Sequence, residues 1–346
     1  GASGADGASG ADGASAGRCV GVEPCLIDVP AVGDLSLLGP LLVSRRVVKI
    51  VHDGQQDLTI LRRAAGCSAP VSIFDTRLAA GFAGQSSVIS LSHLLDASCA
   101  VHLEKTETRT DWLQRPLSSA QVAYALDDVR YLPAVRRRLS QEVEARGNTP
   151  WLAVELRAMD RDELTAERAP EEAFLRVKGR GRLDARGLAV LRAVTAWREH
   201  EARWVDHSRG HVITDDALLA LAKRRPGTAR EVGQVTGLNR RKLRDYGDKL
   251  ASLVVAAQEG PEDRWPKVDP RRSKAAGAGA RSDALIALIA RRAEARGIDP
   301  ALVASRATIR ALGAMSEGER EGSDHLLLRG WRRELLGDEL MPVLTS

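Results

Sequence analysis

Asp57, Tyr124 and Asp128 are the side chains of this chain best suited to hold a cation and a water. In VHDGQQDL, His52, Gly54 and Asp57 follow directly on a β-rich run, and Asp57 falls at the start of a helix that the next residues predict. A carboxylate there can be a metal ligand; it is equally a common helix-start residue that complements the positive end of the helix. In YALDDVRYL, Tyr124 and Asp128 stand four apart and share one helical face. A phenol and a carboxylate so related can orient a water and hold a divalent cation, and the competing reading is tyrosine in a core with aspartate in solvent. Asp127 lies about a hundred degrees around the same helix and reads as a solvated neighbour. Between the two segments, EKTETRTDWLQRPL (104–117) offers Lys105, Arg109 and Arg115 as substrate contacts, against a polar loop anchored by Trp112.

The elements that must position these groups alternate. CLID, VVKIVH and SIFD are β-rich runs separated by helical periodicity, as over Gln56 to Ala65, which argues an α/β unit. Ser118 and Gln121 have capping-box spacing, and the helix they open, with Val122, Leu126 and Val129 on one face, meets Pro133 and kinks or restarts there. We read residues 1–18, a GASGAD repeat, as disordered, 19–148 as the α/β domain and 149–170 as a helical connector. Residues 171–258 then form an all-helical domain, 259–282 a linker, and 283–346 a final helical domain.

Charge separates these parts. The chain has 346 residues and a net charge of +5, yet residues 171–258 hold 18 Lys+Arg against 11 Asp+Glu, while residues 1–150 hold 15 against 16. Phosphate-backbone binding through Arg224, Arg225, Arg240, Arg241, Lys242 and Arg244 is one reading of that excess, with a helix start after Gly237 adding amide donors; a solvated basic face is the other. Twelve aromatic residues, 3% of the chain, argue against a broad stacking platform, so nucleic-acid contact should be mainly electrostatic. Hydrophobic residues at 44% and the lack of any long apolar run exclude a disordered chain and a membrane span. Four cysteines without a CxxC pair argue against a disulfide framework or a Cys-ligated zinc, and imply a reducing cytoplasm.

The order HDGQQD, FDT, EKTETRTDWLQRPL, YALDDVRYL resembles the ribonuclease D family, DEDD 3′–5′ exonucleases of the Tyr subtype. AFLRVKGRGRLDARGLAVLRAVTAWREHEARW, with DDALLALAKRRPGTAREVGQVTGLNRRKLRDYGDKL, resembles the HRDC module that follows the nuclease, and LVASRATIRALG with GWRRELLGDEL a second, more divergent one. The resemblance implies a ribonuclease H-like (DnaQ-like) exonuclease fold followed by two all-α HRDC-type domains. It also implies hydrolysis of RNA 3′ ends, such as those of tRNA precursors, by two Mg²⁺ or Mn²⁺ ions about 4 Å apart. Asp57 and Asp128 match two of the metal-binding acids, Tyr124 the residue that positions the water, and His52 and Gly54 the surroundings of Asp57.

The chain departs from that pattern in one respect. The first motif, Asp-x-Glu on the first strand, has no counterpart upstream of CLIDV; Asp6 and Asp12 lie in the repeat, and Glu23 and Asp28 are not assigned to the metals. The expectation is an incomplete α/β domain from an N-terminally truncated frame, with little or no activity. The alternative function is then a catalytically inactive nucleic-acid-binding protein using its basic HRDC modules.

Overall fold

The computed structural model describes residues 21–103, 107, 110–167, 169–235, 238–267 and 277–345. The GASGAD repeat, Lys105, Arg109 and much of the expected linker lie outside the described residues. VVKIVH and SIFD yield strands β1 (Lys49–Val51) and β2 (Ile73–Asp75). They pair in parallel, with Lys49 opposite Ile73 and Val51 opposite Asp75, and helix α1 (Gln55–Ala65) makes the crossover. Gly66 ends α1 in the left-handed conformation, φ 59°, where its N–H reaches the carbonyls of Arg62 and Arg63. β2 runs straight into α2 (Thr76–Phe82), followed by α3 (Leu91–Cys99).

The CLID run, expected to be β-rich, forms no strand. Pro30 has no N–H to give a ladder, and Val29–Val32 closes instead into one helical turn. Among the described residues the sheet therefore has two strands.

The capping box is present: Ser118 Oγ accepts the Gln121 N–H at 3.1 Å, and Gln121 Oε1 accepts the Ser118 N–H at 2.9 Å. It opens α4 (Ser119–Arg130). Pro133 marks a restart, sitting in the first turn of α5 (Leu132–Ala145), where a missing N–H leaves no helical bond unmade. α6 (Thr149–Met159) follows.

The described residues from Glu167 to 267 form a compact unit of their own, built on α7 (Ala185–Trp204), α8 (Asp215–Arg224) and α9 (Arg240–Glu259). Asp184, Thr214 and Asn239 cap the three helices by accepting a first-turn N–H. Leu191, Val194, Leu218, Leu221, Leu250 and Val254 fill the core.

The C-terminal segment differs from the expectation of a linker over 259–282 and a separate domain over 283–346. Residues 278–282 already belong to α10 (Ala278–Arg296), which is joined by α11 (Arg306–Ala314), α12 (Gly330–Leu336) and α13 (Leu340–Thr345). These helices belong to one compact unit with the described residues up to Ala166. Phe82, Leu94 and Leu139 share a single buried cluster with Leu285, Leu312 and Trp331. Asp299 fixes the junction, its carboxylate accepting the Ser87 N–H at 2.5 Å and its own N–H reaching the Gly81 carbonyl at 2.9 Å. A Cβ at Gly81 would lie 2.6 Å from Leu302 Cδ1, so this approach needs glycine.

Cys25 and Cys67 carry free thiols, whereas Cys99 is disulfide-bonded, which differs from the fully reduced set expected. Among the described residues no helix is long and apolar enough to cross a membrane.

Candidate active site

Asp75 sets the turn that aims Asp57. Its carboxylate, 4% exposed, accepts the N–H of Asp53 at 3.2 Å, of Gly54 at 3.1 Å and of Arg77 at 2.8 Å. One side chain thus ties the entry of α1 to the first turn of α2. Asp53 takes a left-handed φ of 56°, and a Cβ on Gly54 would lie 2.4 Å from Val51 Cβ, so the turn is closed too tightly for a larger residue there. Arg77 pairs with Asp53 and donates from Nε to the Ser87 carbonyl at 2.7 Å. Replacing Asp75 with alanine strands three N–H groups and removes a cap. It is expected to destabilise this unit by about 3 kcal/mol or more, read as a lowered urea midpoint.

His52 is engaged on both sides, with Nδ1 2.9 Å from Thr76 Oγ1 and Nε2 3.1 Å from the Ile89 carbonyl. A carbonyl only accepts, so Nε2 carries the proton and Nδ1 faces the Thr76 hydroxyl. Burial lowers the His52 pKa, outweighing the nearby Asp75 charge. A lowered folded value means the stability it gives is present above the ordinary imidazole pKa and lost as pH falls through the folded one. With both nitrogens occupied, His52 acts by holding the turn in place.

Asp57 is the third residue of α1, near the surface. Burial by the surrounding chain, and then the Asp53 charge, push its carboxyl above the ordinary range. Asp128, half-buried on α4, is raised by burial and then by Asp127. Asp127 itself pairs with Arg130 at 3.0 Å, in keeping with its place around the helix. Asp57 and Asp128 have no ion pair or hydrogen bond among the described residues. Raised, unpaired carboxyls are the electrostatic pattern of groups that a cation would relieve.

Tyr124 lies one turn before Asp128, its ring 6.0 Å from that of Trp112. Gln121 Nε2 donates to the Asp111 carbonyl at 3.1 Å and to Thr110 Oγ1 at 3.2 Å, so the loop around Trp112 rests on the helix that carries Tyr124 and Asp128. Arg115 is taken up locally. It pairs with Asp28 at 2.6 Å and donates to the carbonyls of Trp112 and Gln114. Nothing in the sequence around Asp28 gives it a role, and only this partner, 87 residues away in the chain, reveals one.

Aspartate oxygens suit Mg²⁺ or Mn²⁺ in hardness. Their number does not suffice: among the described residues no group of three or more His, Cys, Asp or Glu side chains could hold a metal ion. No hydrolytic step is therefore derived through a metal pair.

In the all-helical unit, Arg240, Arg241 and Lys242 form the first turn of α9, where Asn239 Oδ1 accepts the Lys242 N–H at 2.9 Å. Arg241 is 84% exposed and only 3.7 Å from Asp245 at its nearest. Arg224 and Arg225 are bound to the Gln234 carbonyl and to Asp184.

Comparison with known proteins covers both units. Residues 13–144 match a family model described as a 3′–5′ exonuclease, and residues 187–254 match the HRDC domain. The chain is 37% identical over 322 residues to ribonuclease D of Desulfotalea psychrophila, covering 91% of this chain and 84% of that protein. Ribonuclease D of Pseudomonas paraeruginosa is 36% identical over 93% of this chain and 84% of its own length. The crystal structure of Escherichia coli RNase D, described as an exoribonuclease involved in structured RNA processing, superposes with a TM-score of 0.73 at 31% identity, over 90% of this chain and 83% of that one.

Proposed function

This chain belongs to the ribonuclease D family, and from that premise we propose that it is a 3′–5′ exoribonuclease that shortens structured RNA, with tRNA precursor 3′ ends as its substrates. The reading is carried by similarity that runs through both units at up to 37% identity. Asp57 and Asp128 are the carboxylates assigned to divalent cations, Mg²⁺ or Mn²⁺. Tyr124 is assigned to position the attacking water through its phenol, beside the loop that Trp112 anchors. His52 and Arg115 hold that surface in shape, while Lys105 and Arg109 are offered as contacts to the RNA strand. The cytoplasm is where we place this work.

Arg240, Arg241 and Lys242 are proposed to meet RNA phosphates at the start of α9. Reversing Arg240 and Arg241 to glutamate is expected to weaken RNA binding and to reduce the slope of log affinity against log salt by about 0.7 for each phosphate no longer neutralised. An unchanged slope in a salt titration would remove them from the interface.

The deciding experiment follows a 3′-labelled precursor tRNA transcript with Mg²⁺ or Mn²⁺, beside the Asp57→Asn and Asp128→Asn proteins. Metal-dependent shortening from the 3′ end that both substitutions abolish supports the enzyme. The too-small carboxylate set among the described residues favours one second reading, a nucleic-acid-binding protein without catalysis. That reading expects salt-sensitive binding and no shortening.

A further inference from the structure

We propose that Trp204, with the turn that follows it, stacks a single unpaired nucleobase, so that the all-helical unit binds RNA by base contact as well as by charge. The proposal rests on the reading of RNA as the ligand.

Of the twelve aromatic residues, Trp204 alone is exposed, at 86%; the other eleven are buried or half-buried. It closes α7, whose buried stripe passes through Leu191, Val194, Arg198 and Ala202. At about 100° per residue, Trp204 falls roughly opposite Ala202, on the face it shares with exposed His200. The indole makes no ring contact or hydrogen bond among the described residues. A lone exposed apolar side chain carries little meaning by itself. What singles out Trp204 is its surroundings.

Asp206, with φ 49°, turns the chain at the end of α7 and brings two imidazoles together. The rings of His207 and His211 lie 5.8 Å apart, edge to face at 69°. His207 Nδ1 is 2.9 Å from the Asp206 carbonyl, so that nitrogen donates and Nε2 keeps an outward lone pair. His211 Nδ1 is 3.2 Å from Ser208 Oγ. Arg203 and Arg209 flank the turn. Their carboxylate partners, Glu167 at 3.8 Å and Glu199 at 3.7 Å, are at the long edge of ion pairing, and such exposed pairs yield readily to a phosphate. The turn thus combines a planar apolar face, imidazole edges that can hydrogen-bond, and cations for the backbone. Those are the components of a site for one stacked nucleotide of a single strand. A broad platform needs several aromatic rings; a single-base site needs one.

The test is fluorescence anisotropy of a short labelled oligoadenylate, in EDTA to stop hydrolysis, across a salt series, with wild type, Trp204→Ala and Trp204→Phe. Trp204→Ala is expected to weaken binding roughly five- to hundredfold at every salt concentration, with the salt slope unchanged because every phosphate keeps its cation. Trp204→Phe should recover most of that affinity, and an abasic oligonucleotide of the same length should bind wild type and Trp204→Ala alike. Wild-type affinity in Trp204→Ala, or a change confined to the salt slope, overturns the proposal while leaving RNA binding intact. A wild-type protein that binds no RNA overturns both the proposal and the reading beneath it. Trp204-dependent binding without any 3′ shortening in the separate hydrolysis assay supports the site and removes only the enzyme.

Discussion

Trp331→Ala is expected to destabilise the exonuclease unit by about 3–5 kcal/mol, although Trp331 lies in the segment that reads from sequence as a separate domain. The indole is 5% exposed. It stacks on Trp151 with ring centroids 5.4 Å apart and meets Phe82 edge-on at 5.3 Å. Its Nε1 donates to Glu155 Oε1 at 2.7 Å, and the same carboxylate takes Arg332 at 2.7 Å, whose guanidinium lies 4.3 Å from the Trp331 ring centre. Alanine opens a cavity between α6, α12 and α2 and removes a donor from a half-buried carboxylate. Trp331→Phe keeps most of the packing and leaves Arg332 on Glu155, so about 1 kcal/mol is expected, the worth of one hydrogen bond. Urea unfolding followed by hydrogen exchange at Leu94 and Leu139 reads the effect directly. Were residues 277–345 an independent module, those amides would keep wild-type protection in Trp331→Ala.

That packing is not legible in the sequence. The periodicity of α10, and of the segment from Arg306 to Ala314, shows that a helix has a face to bury and says nothing of what covers it. The glycine-, alanine- and arginine-rich stretch before Ala278 has the composition of a boundary, yet Asp299 reaches Ser87 across 212 residues to make one core. Short-range signals are more faithful, because their partners lie within a turn. Ser118 with Gln121, Gly66 after α1 and Pro133 in a new first turn each act as their chemistry dictates. CLID misleads because β-branched composition makes no strand beside Pro30 and without a neighbour to pair with. In the site, Asp57 and Asp128 can be named from their strings. The buried Asp75 cannot, since FDT gives no hint that one carboxylate gathers N–H groups from residues 53, 54 and 77. Arg115 reads as a substrate contact for the same reason: Asp28, its partner, is remote in the chain.

Asp57→Asn and Asp128→Asn are each expected to reduce metal-dependent RNA shortening at least about a hundredfold while leaving the unfolding temperature unchanged or raised. The first half follows from the assigned role, since even residues that merely support a metal ligand contribute roughly 10- to 100-fold to affinity or activity, and a ligand contributes more. The second half follows from the direction of the pKa shifts. Burial and a neighbouring carboxylate hold both groups above the ordinary range, so the folded chain binds their protons more tightly than the unfolded chain. Stability then falls as pH rises from the ordinary carboxylate value through the raised one, and above that window each ionised group works against the fold. Asparagine keeps the shape without the charge and removes that cost. Cations bind the ionised form, so wild-type shortening should rise with pH through the same window, and raising Mn²⁺ should move the rise to lower pH. Hydrolysis rates across pH at two Mn²⁺ concentrations, beside thermal melts of the three proteins, separate the roles. A variant that melts well below wild type marks a residue that holds the structure. Activity retained in either variant removes that aspartate from the metal set.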